Sequence, residues 1–193
     1  MINRRLAYLG LVGGFIWLVL FLFPPDFGYP GSLAYLYYQW YNRLWSPALL
    51  LMTCGFLAFY RTCRQQETAV TRWAFTAVFL GFGLMIAGNT AEFWFFTTQP
   101  YGELNARSFA WMTVLLGALF LLVAAFILGV AWLRSRQLPV WVSGLFIVAL
   151  PLTIAGLFWD FLFLPIAPLV WVMSGLTLRP LGISSPVVNQ PFD

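Results

Sequence analysis

SFAWMTVLLGALFLLVAAFILGVAWL, residues 108–133, contains no charged side chain and decides what kind of fold the chain can adopt. A helix needs about 20 mostly apolar residues to cross the hydrocarbon core of a bilayer. This run meets that length and stops at Arg134 and Arg136, where a polar loop begins. The rest of the chain has the same character: 62% of its 193 residues are hydrophobic and only 8% are charged. A soluble domain carries about 25% charged residues because its surface must face water. Sixteen charges cannot cover a globule of this size, and a bilayer supplies the missing apolar solvent.

Outward from that run, other apolar segments lie between polar loops. Residues 6–23 follow Arg4 and Arg5 and precede Pro24-Pro25-Asp26. A secretory leader would carry a small-x-small cleavage site there, so this segment reads as a retained span. Residues 26–32 are rich in Gly and Pro and form a loop. The segment LAYLYYQWYNRLW packs Tyr35, Tyr37, Tyr38, Trp40, Tyr41 and Trp45 together. Amphipathic aromatics favour the headgroup level, so it lies at the interface and feeds a second span near 44–60. Pro47 falls in the first turns of that span, where a missing N–H is tolerated. A third span covers 73–96. Between 140 and 178 only Asp160 is charged, a stretch too long for one helix and sufficient for two. The turn falls near 158–161, with Pro165 and Pro168 early in the last span.

The chain therefore reads as an all-α integral membrane protein with a single transmembrane domain over residues 1–178. Six helices are expected at about 6–23, 44–60, 73–96, 108–133, 140–158 and 162–178, with an irregular tail over 179–193. Charge placement gives the orientation, since basic residues concentrate on the cytoplasmic side. With the N-terminus inside, Arg4, Arg5, Arg61, Arg64, Arg72, Arg134, Arg136 and Arg179 are cytoplasmic, and only Arg43 and Arg107 fall outside. An odd number of spans would break that bias, so both termini are expected in the cytoplasm and the chain in a bacterial inner membrane. Trp40, Trp45, Trp94, Trp111 and Trp159 would mark the outer interface, and Trp73, Trp132 and Trp141 the inner one. Trp17 and Trp171 sit nearer the middle. GFIWLVLFLFPPD, GNTAEFWFFTTQP and GLFWDFLFLP each run from Gly through an aromatic patch to a Pro, which is compatible with three related αα-hairpins.

Composition also removes chemistry. There is no His, so the commonest metal ligand, the usual axial ligand of haem and the commonest general base are missing. His-ligated haem or chlorophyll is excluded on that ground, while bound lipid or a hydrophobic pigment held by other groups is compatible. Cys54 and Cys63 fit neither a metal pattern nor a disulfide framework and read as reduced thiols. There is no Ser/His or Cys/His pair, no phosphate-binding glycine loop, and no Gly-x-Gly-Asp of the aspartyl intramembrane type. No catalytic residue and no metal site is expected. The scattered arginines point to topology and not to nucleic acid.

The segment GFGLMIAGNTAE, residues 81–92, carries the most information about a site. On a helix, Gly81, Met85, Gly88 and Glu92 share one face, and Asn89 lies beside them. Small residues admit a neighbouring helix, and a carboxylate at membrane depth must face protein or water. Both criteria select the same face. Gly10 and Gly14 form a second, weaker small-residue packing pattern. Glu92 and Asp160, with Asn89, could form an ion or proton site or an access vestibule. The structural alternative pairs Glu92 or Asp160 with Arg107 or Arg43 and locks the helix ends together. Their placement near the interface favours the structural alternative. The expected function is a non-catalytic integral membrane subunit, not an enzyme, that packs laterally against lipid and other integral membrane subunits. An accessory role in a respiratory or photosynthetic assembly is one setting. The alternative is a small-solute or ion transporter or channel using those carboxylates.

Overall fold

The computed structural model describes residues 2–26, 31–64, 68–99, 104–156 and 165–178. Helix α1 (Ile2–Leu22) stops just before Pro24-Pro25, whose rings and missing N–H groups cannot continue it. Helix α2 (Leu33–Arg43) starts at Ser32, whose side chain accepts a hydrogen bond from the Tyr35 N–H. It passes through Leu44, in right-handed helical conformation, into α3 (Trp45–Cys63). The two helices are distinguished there because Pro47 has no N–H to offer the Arg43 carbonyl, and Leu44 bonds back to Tyr41 instead.

Helix α4 (Ala69–Thr90) begins four residues before the expected span start at 73. Thr68 and Thr71 form a reciprocal capping box that satisfies the first N–H groups and starts the helix at Ala69. At its far end α4 runs into a π-helical turn, Ala91–Phe95, closed by Phe96 N–H donating to the Ala91 carbonyl at 2.9 Å. Asn105 caps α5 (Ala106–Ser135), which ends with Arg136 in the left-handed conformation. Helix α6 (Val140–Gly156) accommodates Pro151 in its interior, and α7 (Ile166–Leu178) carries Pro168 in its first turn.

Among the described residues the fold is all helical, without strands. Four helical stretches are long and apolar enough to cross a membrane: Ile2–Leu22, Leu33–Cys63, Ala69–Phe95 and Ala106–Ser135. The helices at Val140–Ala155 and Ile166–Leu178 are shorter. The turn expected at 158–161, with Asp160, and the tail at 179–193 lie outside the described residues.

Helices α4 and α5 pack antiparallel, as does α1 against α3 and α7. Along the α4–α5 seam, a carbon added at Gly81 would lie 2.6 Å from the Gly117 carbonyl oxygen, and one at Gly88 2.6 Å from that of Ala110. Backbone meets backbone along this seam, which only glycine permits. Along α1–α3, Gly10 faces Gly55, with the Ser174 hydroxyl of α7 wedged against both. Gly14 faces a different partner, Trp171, whose indole N–H donates to the Leu11 carbonyl at 3.2 Å. Helix α4 also packs on α3, and α6 on α5. The centre is an aromatic stack: Phe56 meets Phe82 at 5.3 Å between centroids, Phe59 meets Trp132 at 5.6 Å, and Trp132 meets Phe146 at 5.2 Å. Large apolar side chains cover the outside as well, among them Phe15, Leu116, Leu119, Phe120, Val123 and Ile127.

Candidate functional site

Gln39, Ser46, Asn89, Glu92 and Arg107, all buried, gather at the end where α1 finishes and α3 and α5 begin. Glu92 occupies the π-helical turn and is 2% exposed. Arg107, in the first turn of α5, is 1% exposed, and its Nε lies 3.9 Å from Glu92 Oε1. An ionised guanidinium at this burial requires further acceptors. It has them: Nη1 donates to the Gln99 carbonyl at 3.0 Å, the Thr97 carbonyl at 3.3 Å and the Tyr35 hydroxyl at 3.3 Å. The Gln99 side chain in turn accepts from the Arg107 backbone N–H. Arg107 thereby ties the π-helical turn, the segment after it and the start of α5 to α2.

Arg43 holds the other side of the same turn. Its Nε donates to the Phe93 carbonyl at 2.8 Å, and its guanidinium lies over the rings of Trp40 and Trp94 at 4.6 and 5.2 Å. A π-helical turn shifts the carbonyl ladder by one residue and leaves such acceptors open, so a cation from a neighbouring helix finds a place. Asn89 is 8% exposed; its Oδ1 accepts from Ser46 at 2.7 Å, and Thr90 Oγ1 lies 2.9 Å from the same hydroxyl. The structure thus brings Glu92, Asn89, Arg107 and Arg43 to one end. Gly81 and Gly88 lie on the α4 face below them, Gly10 and Gly14 lie on α1, and Asp160 lies outside the described residues.

Beside this cluster is a cavity of about 740 Å³ between α1, α2, α3, α4 and α5. Its walls are rings: Trp17 and Phe21 from α1, Tyr38 and Tyr41 from α2, Trp45 from α3, Phe93 from the π-helical turn and Trp111 from α5. Trp17 and Trp45 meet edge to face in its wall, 4.2 Å between centroids. Asn42, Asn89 and Glu92 are the polar wall residues besides the tyrosines. Sequence reasoning did not find this cavity, the π-helical turn, or the parts played by Ser46, Tyr35 and Gln99. One signal was available: Trp17 stands away from both interfaces, where a tryptophan needs a reason to be. The thiols of Cys54 and Cys63 are unbridged. Among the described residues, no group of three or more Cys, Asp or Glu side chains is placed to hold a metal.

No protein-family model matches the chain, and comparison with curated proteins and with solved structures finds no match.

Proposed function

We propose that this chain is a non-catalytic integral membrane subunit of six transmembrane helices, with both termini in the cytoplasm, that packs laterally against other membrane proteins. One observation carries the reading. The buried charges of the described residues are engaged with one another at one end of the bundle, and the core beyond them is packed with apolar and aromatic side chains. Met52, Phe56, Phe82 and Met85 are fully buried across the middle, and none of them carries an ionisable group. Transport paths depend on ionisable groups near the midplane.

The exterior supports lateral association. A shallow groove of about 560 Å³ between α4 and α5, lined by Val70, Trp73, Ala77, Leu119, Val123 and Ile127, presents only apolar side chains. Antiparallel packing of successive helices supports six passes, as does the bias of arginines to one side. At about 1.5 Å per residue the 13 described residues of α7 span roughly 20 Å. A photo-crosslinking amino acid at Val123 or Leu119, activated in intact membranes, tests the function. A discrete protein adduct at both positions is expected. Adducts to lipid alone would refute the subunit reading.

A second reading, a transporter or channel, draws on the cavity beside Glu92 as an access vestibule. The aromatic packing beneath it weighs against a through-path.

A further inference from the structure

We propose that the cavity bounded by Trp17, Tyr41, Trp45 and Trp111 is a binding site for a flat, apolar ring that bears carbonyl oxygens, the chemistry of a membrane quinone. This inference stands apart from lateral association and needs only that the chain resides in a bilayer. Four features of the cavity select that chemistry.

Its size comes first. At about 740 Å³ it falls within the range of small-molecule sites, roughly 300–1,000 Å³, and far exceeds the space of a bridging water. Its walls come second. Indole and phenol rings surround it, and flat aromatic surfaces suit a planar ring through offset or edge contacts better than a flexible chain.

The third feature is the hydrogen-bond inventory. The Tyr41 hydroxyl is buried, with no hydrogen-bond partner within the protein, on a side chain that lines the cavity. A buried hydroxyl without a partner is costly, and a ligand acceptor would satisfy it. Asn89 provides a second donor. Its Oδ1 accepts from Ser46, which fixes the amide orientation and leaves the Nδ2 hydrogens for an occupant. Two donors on an apolar wall call for acceptors, and carbonyl oxygens on a ring supply them.

The last feature is charge. Glu92 is the acidic residue of this wall, and it lies against Arg107. The site therefore offers no net negative charge to an amine or a metal ion, which argues against a cationic occupant despite the aromatic rings.

Tryptophan fluorescence provides the readout, because Trp17, Trp45 and Trp111 line the cavity and quinones quench indole emission. The purified full chain in phosphatidylcholine–phosphatidylglycerol nanodiscs would be titrated with decylubiquinone. Saturable quenching is expected. Tyr41→Phe, which removes one hydroxyl and keeps the ring, should raise the half-saturation concentration about three- to tenfold. Leu20→Trp, which places an indole into the cavity, should abolish the saturable component. Two results would overturn the proposal. One is quenching that rises linearly and equally in all three proteins, which means partition into the bilayer only. The other is saturable quenching by phosphatidylglycerol with brominated acyl chains and none by the quinone, which means that a lipid chain fills the cavity.

Discussion

Arg107 Nε and Glu92 Oε1 stand 3.9 Å apart, on side chains only 1% and 3% exposed. The pair joins the first turn of α5 to the π-helical turn that ends α4. Its two members differ in what remains when the other is removed. Without Glu92, Arg107 keeps the carbonyls of Thr97 and Gln99 and the Tyr35 hydroxyl. Without Arg107, a buried carboxylate faces an aromatic wall and those two carbonyls lose a donor. Breaking a buried pair by removing one partner costs about 3–5 kcal/mol, and Arg107→Leu should approach that loss. Glu92→Gln, which keeps the shape, should cost about 1–2 kcal/mol. The double variant Glu92→Leu/Arg107→Leu should recover part of the Arg107→Leu loss. Unfolding in detergent, followed by loss of helical signal, measures all three. A smaller loss for Arg107→Leu than for Glu92→Gln would contradict this account.

Glycines on α4 should fall into two classes. A Cβ on Gly88 would meet the Ala110 carbonyl oxygen at 2.6 Å and the Val114 backbone nitrogen at 2.8 Å, so neither contact can swing away. Gly88→Leu should destabilise by about 3 kcal/mol or more, beyond ordinary overpacking, because the whole seam must separate. Nothing lies within 4 Å of a Cβ on Gly83, and Gly83→Ala should be neutral or stabilise by up to about 1 kcal/mol. Equal thermal stability of the two variants in detergent would show that the Gly88 face meets only lipid.

Orientation can be tested by thiol labelling. In a background with Cys54→Ala and Cys63→Ala, a cysteine introduced at Ser184 should react with a membrane-impermeant maleimide only after the cells are opened. A cysteine at Gly31, in the segment after α1, should react in intact cells. Labelling of the Ser184 position from outside would rule out six spans with both ends in the cytoplasm.

The helical architecture was legible because desolvation in a bilayer acts on whole segments, and a run such as 108–133 can satisfy its backbone in hydrocarbon only as a helix. The face of α4 that holds Gly81, Gly88 and Glu92 was legible for the same kind of reason, since helical spacing puts small residues and the carboxylate together. Boundaries were less so. The Thr68–Thr71 capping box extends α4 into residues that look like a loop by polarity, and the Pro47 position separates α2 from α3 without a polar break. The π-helical turn has no composition of its own: it depends on Arg43 reaching the Phe93 carbonyl from fifty residues away. The cavity is likewise a product of five helices, and the aromatic residues that wall it look in sequence like an interfacial belt.

The final prediction separates the subunit from the transporter. Reconstituted in liposomes, the protein should conduct neither protons nor sodium above the background of empty vesicles, and Glu92→Gln and Asp160→Asn should leave that background unchanged. The reason is depth and pairing. A coupling site works by drawing a cation out of water with charge that is open to it, near the midplane and between broken helices. Glu92 instead lies at one end of the bundle against Arg107. Beyond it, Trp17 and Trp45 pack edge to face in the cavity wall, Leu49 and Met85 line its deeper side, and Phe56 meets Phe82 further in. A cation entering from the Glu92 end would have to displace these rings before meeting another polar group, with no hydration to replace what it lost. Protein-dependent flux that either substitution abolishes would mean that the aromatic layer opens, and the transporter reading would then replace the subunit.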